Sequence, residues 1–296
     1  MYPDEFDYHE ATTVEEAIDL LAGHAMEETE LLAGGHSLLP AMKTGLSSPD
    51  VLIDIGEVDA LHGIGVDGDT LVIGAMNRYS DLLDSEDARD HAPALTAAVE
   101  RVGDRQVRNR GTIGGNLAHA DPASDLPGAA LASDATLIVQ GPDGERTIPA
   151  DEFYYGMYAT DLDPAEILTR IEIPSAADAV GTYAKKPSPS SGYAMVGVAA
   201  LLTVEDGTVE SARLGANGAM DHGVRLEQVE EALIGKSLDE ETIATAAEYA
   251  TDDLETALMM DDLQASGEFR ARLLAVYTER ALEAAVDRAA APAAAD

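Results

Sequence analysis

The chain has 296 residues, with 56 Asp and Glu against 18 Lys and Arg, a formal charge of −38 with His neutral. Such a surface repels phosphate and excludes a general nucleic-acid binder, while 46% apolar and 25% charged residues are the proportions of a chain that buries a core. The absence of Cys excludes disulfides, thiolate metal sites, thiol catalysis and an iron–sulfur cluster held by this chain, so any iron–sulfur partner is a separate chain.

The length suggests two domains, or one large domain with subdomains. The opening MYPDEFDYHEATTVEEAIDLL is acidic and lacks a basic region followed by an apolar core. No run is long and apolar enough to span a membrane, and the expected location is cytoplasmic. Only four cations are Lys, and the acidic excess is spread along the chain instead of forming a tail. That pattern suits concentrated salt, where a Debye length of about 3 Å at 1 M screens self-repulsion, and it points to a halophile.

In chain order, Val14, Ala17, Ile18 and Leu21 have helical spacing behind Thr12 and Thr13, either of which can cap, and predict a helix over 12–22. Leu31 to Ala33 reads as a buried strand breaking into the turn Gly34-Gly35, and 51–55 as a second strand. The stretch from Leu61 to Ala75 alternates around Asp67-Gly68 as a hairpin. Its Gly63, Gly65 and Gly68 match GxGxxG, but a β pattern follows where a dinucleotide fold needs a helix, so a Rossmann domain is rejected. Residues 92–102 predict a helix, and 101–133 are rich in Arg, Gly, Asn, Asp and Pro. A second hairpin turns at Pro142-Asp143-Gly144, and a strand over 166–174 ends at Pro174. Residues 175–181 read as a linker, and strands over 193–204 and 208–216 flank Glu205-Asp206-Gly207. Helices follow: Ile243, Ala246, Ala247 and Ala250 form one core stripe after Asp239, and Phe269, Leu273, Val276, Tyr277, Ala281, Ala284 and Ala285 another. The Ala/Pro tail from 289 has little to bury.

Four segments could carry chemistry. In Ala33-Gly34-Gly35-His36-Ser37, glycines after a buried strand allow close backbone approach, and consecutive amides can form a concave anion site; an ordinary tight turn is the alternative. Thr112-Ile113-Gly114-Gly115-Asn116 follows Arg101, Arg105, Arg108 and Arg110, four of 14 arginines, which suggests an anionic ligand or a docking surface. Otherwise these arginines answer carboxylates or sit at a helix C-terminus. In Ala120 to Pro127, Asp125 either accepts from sugar hydroxyls or is a cap or turn residue. Asp121, Asp125 and His119 lack any standard metal-ligand spacing, and no metal site is assigned. Lys185-Lys186, between Tyr183 and Tyr193, would suit a heterocycle that becomes anionic on reduction. No GxSxG, HExxH or P-loop is present.

Together AGGHSLLP and RNRGTIGGNLAHADPASDLP, with FDYHEATTVEEAIDLLA, DPAEILTRIEIP, YAKKPSPSSGYAMVGVAA and SGEFRARLLAVYTERAL, resemble the FAD-binding (medium) subunit of molybdenum hydroxylases. That family includes the carbon monoxide dehydrogenase type and the flavin domain of xanthine dehydrogenases. The resemblance covers most of the chain. It implies an α+β architecture, a PCMH-type FAD-binding fold of two α/β subdomains (about 1–55 and 56–176), then a C-terminal domain of a small antiparallel sheet plus helices (177–288) and a flexible tail (289–296). It further implies that Ala33 to Ser37 and Thr112 to Asn116 hold the pyrophosphate and adjoining parts of FAD. Asp125 would contact its sugar-like portion, Leu168 line the flavin site, Lys185 lie near the cofactor and Tyr193 sit beside the isoalloxazine.

On that reading no residue here is catalytic toward the substrate. A large molybdopterin subunit would oxidise it, a small [2Fe–2S] subunit would pass electrons singly, and FAD here would collect two for an external acceptor. A stand-alone FAD oxidoreductase acting on a small substrate is the alternative. Larger residues at Gly114 and Gly115 are expected to abolish FAD retention while the fold survives. Lys185→Ala is expected to keep FAD and shift its potential.

Overall fold

The computed structural model describes residues 2–290. The first subdomain runs β1 (Asp7–Glu10), α1 (Val14–Gly23), β2 (Thr29–Leu32), α2 (Leu38–Thr44) and β3 (Val51–Asp54), with β3 central in a parallel sheet of order β1-β3-β2. Helix α1 forms where its spacing predicts. The Thr13 hydroxyl accepts from the Glu16 amide at 3.1 Å, and Glu16 accepts in return from the Thr12 amide at 2.8 Å. Val14, Ala17, Ile18 and Leu21 all turn inward onto Val51 and Ile53. The apolar run at 31–33 is a strand one residue shorter than expected at its end, and Ala33 begins the turn.

The second subdomain contains β4 (Ile64–Asp67), β5 (Thr70–Gly74), α3 (Tyr79–Asp84), α4 (Glu86–His91), α5 (Pro93–Val99), α6 (Arg105–Arg108), α7 (Ile113–His119) and α8 (Leu126–Ala132). It continues through β6 (Thr136–Gly141), β7 (Gly144–Pro149), α9 (Ala150–Phe153), β8 (Tyr154–Gly156), β9 (Ala159–Thr160) and β10 (Ile167–Pro174). Its five-stranded antiparallel sheet has the order β4-β5-β10-β6-β7. The GxGxxG-like glycines lie along the β4–β5 hairpin, as the β pattern after them requires. The helix expected over 92–102 stops at Val99, and the glycine-rich stretch beyond it holds three short helices.

The C-terminal unit comprises β11 (Val180–Pro187), β12 (Ala194–Glu205), β13 (Thr208–Asn217), β14 (Val224–Arg225), α10 (Glu227–Leu233), α11 (Glu240–Glu248) and α12 (Gly267–Ala290). Its antiparallel sheet has the order β11-β12-β13-β14. Asp206 (φ 49°) and Gly207 (φ 79°) both take the left-handed conformation that a two-residue hairpin turn demands. Strand β11 corrects the linker expected over 175–181: it begins at Val180, and its alternation puts Tyr183 and Lys185 on one face and Thr182 on the other, where its hydroxyl donates to the Ala281 carbonyl at 2.7 Å. The stripe expected on α12 also needs correction, because Phe269 and Val276 are 44% and 41% exposed. The buried face instead includes Arg270, Leu274, Thr278 and Leu282. Residues 289 and 290, expected in the tail, belong to α12, and the rest of that tail lies outside the described residues.

Helix α12 covers one face of this sheet, and α5 and α8 of the preceding unit cover the other. The second contact is very close. A Cβ on Gly215 of β13 would lie 2.0 Å from the Gly128 carbonyl oxygen of α8, so strand and helix meet backbone to backbone. Among the described residues no helix is long and apolar enough to cross a membrane.

The β8–β9 hairpin is tied at its base by Arg146, which donates to Asp161 at 2.6 Å and to both Glu166 oxygens at 2.7 Å. Hydrogen bonds from Arg146 hold the Asp161 and Glu166 carboxyls below their ordinary range. Because the folded values are depressed, their stabilisation is present above about pH 4, the unfolded carboxylate range, and is lost as pH falls through the lower folded values. Amide exchange over residues 154–160 is therefore expected to accelerate below about pH 4, and this acid-induced acceleration is expected to vanish in Arg146→Met.

Candidate functional site

The two glycine loops, about 78 residues apart in sequence, touch. A Cβ on Gly34 would lie 2.3 Å from the Arg110 carbonyl oxygen, and one on Gly115 would lie 3.2 Å from the Ala33 Cβ. The loops differ in what they leave free. Among the described residues the amides of Gly34, Gly35, His36 and Ser37 donate to no group of the chain, and Gly35 holds φ 71°. Consecutive unpaired amides at a left-handed turn are a concave anion site.

The second loop has spent its amides. Ile113 donates to the Asn77 carbonyl at 3.0 Å, Gly114 to the Ala75 carbonyl at 2.8 Å, and Gly115 to the Thr112 hydroxyl at 3.2 Å. Gly114 is required by packing, since its Cβ would lie 2.4 Å from that of Ala75. Ala75 is itself fixed by β10: continuing the β5–β10 register past Arg170 opposite Gly74, the Thr169 carbonyl accepts from the Ala75 amide at 2.9 Å, while on its other side β10 bulges against β6 between Leu168 and Arg170. Leu168 lies beside this bulge, buried in the core of the second subdomain. The Asn116 side chain donates to the Tyr79 hydroxyl at 2.8 Å and accepts from Ser124 at 2.7 Å, joining α7 to α3 and to the turn before α8.

Asp125 and Lys185 meet as a buried ion pair, Oδ2 to Nζ 2.7 Å. Lys185 also donates to the Arg101 carbonyl at 3.1 Å, and Tyr183 donates to the other Asp125 oxygen at 2.6 Å. Asp125 occupies the N-cap position of α8, yet its side chain caps no amide. Burial pushes its carboxyl up against the downward pull of Lys185 and Tyr183. The Tyr183 hydroxyl also lies 3.2 Å from the Asn217 Oδ1. Lys185, Tyr183 and Asn217 come from the C-terminal sheet, so this network joins the domains behind the site.

Tyr193 is 43% exposed at the end of a turn closed by the Ser188 amide on its carbonyl at 2.7 Å. The Ala194 amide donates to the Ala123 carbonyl at 3.0 Å, which sets Tyr193 beside the 120–125 turn. Burial, then the charge of Asp121, raise its phenol, while the Ser37 hydroxyl pulls it down. His36, next to Ser37 in sequence, is exposed. Arg101, Arg105, Arg108 and Arg110 have no carboxylate within 4.0 Å among the described residues, although the chain holds 56 acids. The reading that they answer the chain's own carboxylates is corrected by that finding, whereas the helix C-terminus reading holds for Arg105 and Arg108, which lie in the last turn of α6, with Arg108 donating to the Val102 carbonyl at 3.0 Å.

Sequence reasoning missed Tyr79, Asn217 and the link from Thr169 to Ala75. The signal for Tyr183 and Lys185 was present as a two-residue alternation, obscured because a buried Lys does not read as an inward position. The donor set fits FAD: free amides for the pyrophosphate, an exposed phenol for the ring system, and cations at the loop margin.

The fold and loops define a flavin-binding unit of the dehydrogenase class. Residues 4–176 match the family model "FAD binding domain in molybdopterin dehydrogenase", and residues 181–285 match "CO dehydrogenase flavoprotein C-terminal domain". The carbon monoxide dehydrogenase medium chain of Hydrogenophaga pseudoflava is 37% identical over 98% of this chain and 100% of its own length. The glyceraldehyde dehydrogenase medium chain of Sulfolobus acidocaldarius is 33% identical over 96% and 99%. A solved carbon monoxide dehydrogenase from Hydrogenophaga pseudoflava, lacking the Mo-pyranopterin moiety of the molybdenum cofactor, superposes with a TM-score of 0.92 at 38% identity, covering 97% of this chain and 99% of that one. The chain belongs to the family of FAD-binding medium subunits of the carbon monoxide dehydrogenase and xanthine dehydrogenase type. It is the flavoprotein subunit of an oxidoreductase, with FAD as its cofactor.

Two expectations change on this geometry. Gly114→Ala drives a Cβ into Ala75, so it is expected to destabilise the chain by about 1–3 kcal/mol through overpacking, read as a lower urea midpoint whether or not FAD is present. Lys185→Met leaves the Asp125 carboxylate buried without its cation and is expected to cost about 3–5 kcal/mol. Adding Asp125→Asn to it should recover much of that loss in the same urea titration.

Proposed function

We propose that this chain is the electron-exit subunit of a three-subunit molybdenum hydroxylase. A small subunit with [2Fe–2S] clusters delivers electrons singly, a large molybdopterin subunit oxidises the substrate, and an external acceptor takes the electrons away. The free amides of Gly34 to Ser37 carry the reading, because they supply donors for a pyrophosphate without a lysine. Bound FAD supplies the chemistry of one-electron uptake and two-electron release.

The chain's own residues hold and orient. Gly34 to Ser37 donate to the phosphates, while Thr112 to Asn116 form the floor that fixes the first loop's position. Asp125, with both carboxylate oxygens taken by Lys185 and Tyr183, fixes the turn before α8 from behind the site, and Leu168 backs the floor with apolar surface. Tyr193 borders the ring. Exposed Arg105 and Arg110, without carboxylate partners, offer a contact for an acidic face of the iron–sulfur subunit. We take the boundary between the FAD-binding and C-terminal domains to lie near residue 176, and the ends of the two matched stretches, 176 and 181, support it.

We extend the reading to the cell: a net charge of −38 suits a cytoplasm of concentrated salt. A pull-down of the native assembly through this chain in molar salt tests the proposal. Stoichiometric FAD with co-purifying molybdenum and iron is expected. FAD without partner chains or metals would favour a stand-alone flavoenzyme.

A further inference from the structure

Two strained residues of this structure are bonded to each other. Ala120 has φ 50° and Tyr158 φ 57°, and the Tyr158 amide donates to the Ala120 carbonyl at 3.0 Å. The other described non-glycine residues at positive φ are Asp134 and Asp206, whose residue type tolerates that region; alanine and tyrosine do so at a cost. Ala120 is the C-cap of α7 and Tyr158 the second residue of the two-residue β8–β9 turn, places where the left-handed conformation is usual but glycine or asparagine usually supplies it. A residue kept there at a cost is the kind found at ligand clamps.

Core packing does not account for Tyr158, which is 58% exposed. Its ring rests on His119, the last residue of α7, with centroids 5.0 Å apart and planes tilted by 43°. The hairpin that carries it is braced from below by Arg146, Asp161 and Glu166, and the Asp161 amide donates to the Phe153 carbonyl at 2.9 Å. The chain thus holds an aromatic ring out from the surface in an unfavourable backbone state.

What the ring faces follows from the turn beside it. Residues 120–125 are gripped from two sides: the Tyr158 amide holds Ala120, and the Ala194 amide holds the Ala123 carbonyl at 3.0 Å. Tyr193 directly precedes Ala194 and is 43% exposed. Two exposed tyrosines therefore stand on either flank of Asp121, whose charge acts, after burial, to raise both phenols.

We propose that Tyr158, backed by His119, is a second aromatic wall of the flavin site, bounding with Tyr193 the slot that receives the isoalloxazine ring. The inference rests on the assignment of Ser37 and Tyr193 to the FAD site. A tyrosine is electron-rich and the oxidised flavin ring electron-poor, so stacking favours the pair and quenches flavin emission by electron transfer.

Titration of the apo full-length chain with FAD, followed by flavin fluorescence, tests it. The wild-type chain is expected to bind one equivalent with quenched emission. Tyr158→Leu should raise the FAD Kd by about three- to tenfold and brighten the bound flavin. Tyr158→Phe should keep the wild-type Kd yet brighten the flavin, because phenylalanine does not donate an electron to it. Tyr158→Gly, which relieves the strain, should match Leu in affinity while the apo chain melts no lower than wild type. Wild-type Kd and wild-type emission in both the Leu and Phe variants would overturn the proposal. A wild-type chain that binds no FAD would overturn the assignment beneath it instead.

Discussion

The buried ion pair between Lys185 and Asp125 is the interaction on which the site's architecture rests. Burying both charges costs several kcal/mol per ion, so such a pair persists only where further hydrogen bonds complete each group. Here Tyr183 completes the carboxylate and the Arg101 carbonyl the ammonium. The pair crosses from the C-terminal sheet to the cap position of α8, so the second domain sets where the turn before α8 can lie. Arg270 of α12 reinforces this from behind, donating to the Met195 and Gly218 carbonyls at 2.6 Å, while the Gly218 amide holds the Pro122 carbonyl at 2.7 Å. A helix at the far end of the chain thereby steadies the turn that borders the cofactor loops.

Glycine serves two separate ends around the site. At Gly35 it supplies a left-handed turn that leaves neighbouring amides unpaired and available to an anion. At Gly114 it supplies space, letting α7 seat on Ala75 closely enough for its amide to bond there. The two loops look alike in sequence, yet one is a binding surface and the other its foundation. The floor is rigid because the β5–β10 register carries on past Gly74: the Thr169 carbonyl of the central strand accepts from the Ala75 amide, so the floor is tied to the sheet and not to a loop.

Electrostatics reinforce the same division. A chain of net charge −38 would repel an anionic cofactor, yet among the described residues the exposed Arg105 and Arg110 form no ion pair with a carboxylate. Backbone amides add positive potential without adding formal charge. The site can attract pyrophosphate while the remaining surface stays strongly hydrated.

Much was legible in the residues alone. Helix α1, the three hairpins and the halves of the α+β architecture follow from periodicity and turn chemistry, because those depend on neighbours a few positions away. Both glycine loops and the arginine cluster stood out by composition. Strand β11 did not, because its inward residues are Tyr183 and Lys185, and a buried lysine is recognisable only once its carboxylate, 60 positions earlier, is in place. Nor could the sequence separate the free amides of Gly34 to Ser37 from the occupied ones of Ile113 to Gly115, since their acceptors are carbonyls of Ala75 and Asn77 brought up by the sheet. The exposed residues Phe269 and Val276 on α12 make the same point in reverse. Local pattern determined which elements form and which segments are unusual. Which polar groups are already spent, and so which remain to hold a ligand, was decided only by tertiary contacts, because a hydrogen bond is satisfied by whatever the fold places three ångströms away.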